Sequence, residues 1–114
     1  MRFKRSERVQ ELLLEEISAL IQRGLKDPRI GFATVTKVNL SDNLKHAKVY
    51  ISVFGTEREQ KDTIEGLTRA SGFIRGALGK KLSLRYIPVL EFILDETAEH
   101  VAKINKIIND FNSE

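Results

Sequence analysis

Without cysteine, any chemistry in this chain must come from histidines, carboxylates, hydroxyls or cations. His46 and His100 lie far apart and neither has a second ligand at metal spacing, so each reads as a surface histidine. Glu15–Glu16 and Asp95–Glu96 are adjacent pairs; on a helix, neighbours point about 100° apart and cannot act together on one proton. Ser71 sits beside Gly72 with no His/Asp constellation to activate it. No catalytic set can be assembled, so no enzyme activity, metal or cofactor is expected.

The cations behave differently. "TRASGFIRGALGKKLSLRYIP" carries Arg69, Arg75, Lys80, Lys81 and Arg85, and residues 66–90 contain no acid. A second basic cluster, Arg2, Lys4, Arg5 and Arg8, faces only Glu7. Residues 95–114 are acidic, with Asp95, Glu96, Glu99, Asp110 and Glu114 against Lys103 and Lys106. Net charge is only +3, so it is the distribution that matters. It gives a polyanion-facing side and an acidic far end. Lys80–Lys81 alone would suit a solvated helix end, where the dipole favours cations. The acid-free run as a whole points to phosphate.

These side chains need a scaffold. The 114 residues suit one compact domain over 1–114, and 41% apolar with 31% charged residues reads as globular. A cysteine-free chain is compatible with a reducing cytoplasm. "MRFKRSERVQ" does not read as a secretory signal, because Glu15 and Glu16 interrupt the leucines behind it. No segment has the apolar length of a membrane span.

Val9, Leu13, Ile17, Leu20 and Ile21, with Leu12 beside them, recur at helical spacing; Gly24 and Pro28 bound that helix. "FATVTKVNL" (32–40) and "HAKVYISVF" (46–54) read as strands around the turn "SDN". In the second strand Ala47, Val49, Ile51 and Val53 face the core, while Lys48 and Tyr50 face water or a partner. Tyr50 and Phe54 read as edge or core aromatics rather than base-stacking groups. Gly55 breaks the strand, and Thr56 with Glu59 forms a capping box. The next stripe, Ile64, Leu67, Ala70, Ile74, Leu78 and Leu82, runs straight through Gly72 and Gly76. Pro88–Leu94 is a third strand. Asp95 caps a last helix, about 96–112, with Val101, Ile104, Ile108 and Phe111 on one face; it is part of the domain or a short tail. The order is α-β-β-α-α-β-α, an α+β domain. Its long crossover makes the third strand parallel to the second, with helices on one face of a three-stranded sheet.

A stripe continuing through glycine means two helices sharing one packed face with a kink between them, at Ala70-Ser71-Gly72. The glycine lets the backbone bend and a partner approach. Gly76-Ala77-Leu78-Gly79 is a literal GxxG, the sequence of a nucleotide-clamping KH loop. Placing a loop there would pull Leu78 out of its stripe and leave too short a following helix before Pro88. The kink at 70–72 is therefore preferred.

These stretches, "RVQELLLEEISALI", "KDPRIGFATVTKVNLSDNLKHAKVYISVFG", "ASGFIRGALGKKLSLRYIPVLEF" and "DET", resemble the ribosome-binding factor A family of bacterial small-subunit assembly factors. The resemblance runs from Ser6 to about Asn105. It implies a KH-type II fold in which an Ala-x-Gly kink, here Ala70-Ser71-Gly72, replaces the GxxG loop. It also implies a non-catalytic, cytoplasmic factor that binds small-subunit rRNA and free 30S subunits or their precursors. Such a factor acts late in maturation and rRNA processing, supports growth in the cold and has an assembly GTPase as partner. A monomer with no membrane association is expected.

From the residues, Arg75 and Lys80 lead the expected RNA contacts, followed by Lys81, Arg85 and Arg69, with Arg2, Lys4, Arg5 and Arg8 as a secondary patch. The competing reading is a protein adaptor whose basic face docks an acidic partner.

Overall fold

Six segments take regular structure in the computed structural model, which describes residues 5–23 and 33–96. They are α1 (Arg5–Gln22), β1 (Ala33–Leu40), β2 (His46–Val53), α2 (Glu57–Arg69), α3 (Ser71–Lys81) and β3 (Val89–Leu94). The expected last helix lies outside the described residues. The sheet order is β1-β2-β3, with β1 and β2 antiparallel and β2 and β3 parallel. The parallel pair follows from the α2–α3 crossover, as the element order predicts.

α1 buries Val9, Leu13, Ile17 and Ile21, four residues apart on one face, while Leu12 stays exposed. Its Gln10 Oε1 accepts the Leu40 N–H at 2.7 Å and so pins the end of β1. Ala47, Val49, Ile51 and Val53 of β2 are all buried, the alternation read from the sequence. Phe54 just beyond it is 76% exposed, not the edge or core aromatic the sequence suggested.

β1 is less regular. Val35, Val38 and Leu40 are buried, and the register shifts between Val35 and Lys37. Thr36 is the extra residue. Without it, a period of two would turn either Val35 or the Val38–Leu40 pair away from the core. The Thr36 hydroxyl donates to Asp95 Oδ2 at 2.6 Å, tying the bulge to the end of β3.

The β1–β2 turn is held by the Asn43 side chain: Oδ1 accepts from Ser41 Oγ at 2.6 Å and from the Lys45 N–H at 3.0 Å. Leu44 takes a positive φ of 64° there and packs partly on the core. After β2, Gly55 has φ 148°, a conformation that favours glycine, and a Cβ there would meet Glu59 atoms at 3.0–3.2 Å. Thr56 and Glu59 form the expected capping box. Two polar residues of α2 are buried. Gln60 Nε2 donates to the Gly55 carbonyl at 3.1 Å, and the Thr63 hydroxyl to the Glu59 carbonyl at 2.7 Å.

Candidate nucleic-acid interface

The break between α2 and α3 falls at Ala70, the last cap of one helix and the first of the next. It is a bend, not a loop. Ala70 stays in the helical region (φ −80°, ψ −3°), its N–H donates to Gly66 O at 3.0 Å, and its carbonyl accepts Ile74 N–H at 2.9 Å. The apolar stripe therefore continues across it: Leu67, Ile74 and Leu78 are buried, with Ile64, Ala70 and Leu82 packed on the same core. Each fully buried Ile or Leu contributes about 1.5–3 kcal/mol. Ile74 and Leu78 thus fix the roll of α3, and with it the residues that face out. A clamp loop at 76–79 would forfeit Leu78; Gly76 and Gly79 lie instead within α3.

The outward part of α3 is bare backbone. An added Cβ would meet nothing within 4 Å at Gly72 or Gly76, and only Ile87 Cγ1 at an ordinary 3.7 Å from Gly79. None of the three glycines is demanded by packing, yet each costs a helix about 0.8–1 kcal/mol relative to alanine. Beside them on the helix stand Lys80, exposed, and Phe73, 67% exposed.

The five cations of the acid-free run are placed unequally. Arg75 turns towards the segment before β3: Nε donates to Pro88 O at 3.1 Å and Nη2 to Ile87 O at 2.9 Å. A guanidinium has five N–H donors, so three remain for another acceptor. Lys81 Nζ lies 3.6 Å from Glu16 Oε2 on α1. That is an exposed pair of small energetic weight. Arg85 lies over the Tyr86 ring at 5.6 Å, with Tyr86 itself exposed. Arg69 ends α2, one residue ahead of the bend. Of the N-terminal cluster, Arg5 and Arg8 are exposed on α1; Arg2 and Lys4 lie outside the described residues. Arg8 is eight residues from Glu16, about 12 Å along the helix.

Tertiary structure adds residues that the sequence reading missed. α1 and α3 flank a cleft of about 220 Å³ lined by Glu16, Leu20, Arg23, Ala77, Leu78, Lys80 and Lys81. Arg23 follows α1, so only packing brings it to the same cleft as Lys80. Phe73 carried a weaker signal, being an aromatic at a position where the stripe expects exposure; Tyr86 lies beyond the stripe. The outer sheet face also carries charge, with Lys37 Nζ 5.9 Å from the Tyr50 ring and Lys48 exposed. Among the described residues no group of three or more His, Asp or Glu is placed to hold a metal ion, and no helix is long and apolar enough to cross a membrane.

Among the described residues, three helices on one face of a three-stranded sheet, with a bend in place of a loop between α2 and α3, define an α+β domain of KH-type II arrangement. Residues 5–108 match the family model for ribosome-binding factor A. The chain is 46% identical over 114 residues to ribosome-binding factor A of Halothermothrix orenii, covering 100% of this chain and 93% of that one. It is 47% identical over 108 residues to that of Natranaerobius thermophilus, covering 95% and 82%. The crystal structure of ribosome-binding factor A from Thermus thermophilus superposes with a TM-score of 0.69 at 29% identity, covering 78% of this chain and 94% of that one. A homology model of Thermus thermophilus ribosome-binding factor A, fitted into a cryo-electron microscopy map of a 30S complex with that factor, gives 0.57 at 31% identity, covering 78% and 89%. The chain belongs to the ribosome-binding factor A family.

Proposed function

We propose that this protein is a non-catalytic RNA-binding factor. It binds free 30S subunits or their precursors through 16S rRNA and assists late subunit maturation and rRNA processing. The observation that carries the reading is the acid-free run 66–90, folded into α3 and the segment leading to β3 around a glycine-bare helix face. The relative fitted into a 30S complex supports the same partner. Lysine and arginine neutralise phosphates there, and the missing side chains at Gly72 and Gly76 let a backbone come close. Lys80 leads, with Lys81, Arg75, Arg85 and Arg69 around it, and Arg2, Lys4, Arg5 and Arg8 extend the contact. The protein works as a cytoplasmic monomer, supports growth in the cold and has an assembly GTPase among its partners.

Co-sedimentation with small-subunit precursors tests this. Binding should be lost after RNase treatment and should survive removal of other proteins. Binding that survives RNase and is lost with the proteins would make the molecule an adaptor for an acidic partner instead.

A further inference from the structure

The cleft between α1 and α3 has a composition that the general phosphate-binding reading does not use. Its floor is apolar, made by Leu20, Ala77 and the buried Leu78. Its rim holds three cations, Arg23, Lys80 and Lys81, against one acid, Glu16, a net charge of +2. Glu16 is engaged with Lys81 at 3.6 Å. Among the described residues neither Arg23 nor Lys80 has an ionic partner.

The volume, about 220 Å³, is below the roughly 300–1,000 Å³ of sites that engulf a whole ligand. It suits one planar ring lying on the floor with its charge left at the rim. Phe73, one turn ahead of Ala77 and so its neighbour on α3, adds an exposed aromatic surface beside it.

We infer that this cleft is a subsite for a single unpaired nucleotide. The base lies on Leu20 and Ala77, its neighbour stacks on Phe73, and Arg23 and Lys80 hold the flanking phosphates. The inference rests on the RNA-binding reading above and names the form of RNA. A duplex keeps its bases stacked inside and cannot offer one to the floor, whereas a single strand can. An acidic helix would satisfy the cations but needs anchors at i, i+4 and i+7, more apolar length than this floor provides.

The test uses the full chain with two labelled probes, single-stranded oligoadenylate and a blunt-ended, fully paired RNA duplex. Ala77→Leu fills the floor without changing charge, and Phe73→Ala removes an exposed ring, so neither should lower the melting temperature. Each should weaken oligoadenylate binding about tenfold, in line with one lost stacking contact, and leave duplex binding within about twofold. Arg23→Glu, at an exposed position, should weaken both probes. Unchanged oligoadenylate affinity in Ala77→Leu and Phe73→Ala, or equal loss on both probes in these two, would overturn the inference. So would an Ala77→Leu defect confined to a small-subunit protein. Wild-type binding to small subunits is the control: its failure would defeat the RNA-binding reading as a whole, whereas its success beside unchanged variants would defeat only the cleft.

Discussion

Arg75 Nε donates to the Pro88 carbonyl at 3.1 Å, joining the middle of α3 to the residue just before β3. A second bond, from Nη2 to Ile87 O at 2.9 Å, fixes the guanidinium plane. One face of the arginine therefore holds the fold while three donors remain for phosphate.

The consequence is a mixed phenotype. The sequence alone treats Arg75 as a phosphate ligand whose loss leaves stability almost unchanged. With two charge-assisted bonds at stake, Arg75→Ala should lower stability by about 1–2 kcal/mol and weaken RNA binding as well. Urea unfolding beside an affinity measurement checks this. An unaltered denaturation midpoint would mean the two bonds contribute nothing net.

Gly72 and Gly76 should behave in the opposite way. The sequence reading has Gly72 let the backbone bend and a partner approach closely. In the folded protein alone nothing does. Gly72→Ala and Gly76→Ala should each raise stability by about 0.5–1 kcal/mol through helix propensity and reduced unfolded-state entropy. If the bare face exists for RNA, the same changes should reduce affinity for small subunits. Thermal melts and subunit binding on the two single variants decide it; a gain in stability with full affinity would free these glycines of any role in binding.

At the start of α2 the geometry is stricter. Gly55 has φ 148°, and a Cβ would press on Glu59, the residue that completes the capping box. Gly55→Ala should destabilise by more than Thr56→Ala, which removes one cap worth about 1 kcal/mol. Equal losses in the two variants, read by calorimetry, would show that the backbone relaxes at Gly55.

Much of this architecture is local, and so was legible in residue order. The capping box at Thr56 and Glu59, the alternation of Ala47 to Val53 and the stripe from Ile64 to Leu82 each depend on neighbours a few positions away. The bulge at Thr36 was not, because it is defined by the partner strand: only pairing with Ile51 and Tyr50 reveals the extra residue. Gln60 and Thr63 look like ordinary polar helix residues until backbone carbonyls are found beside them. The site divides in the same way. The acid-free run is written in sequence, whereas the bonds of Arg75 to Ile87 and Pro88, and the cleft that Arg23 and Lys80 share, are products of tertiary packing.

The central claim is that the basic residues of 66–90 neutralise rRNA phosphates. A salt titration of affinity for 16S rRNA, on the wild type and on Lys80→Ala, tests it most directly. If about five phosphates are neutralised, log K should fall against log salt with a slope of about −3 to −4. Lys80→Ala should flatten that slope by a little under one unit at an unchanged melting temperature. Identical slopes in the two proteins would contradict the account and move the search to the outer face of the sheet that carries Lys37 and Lys48.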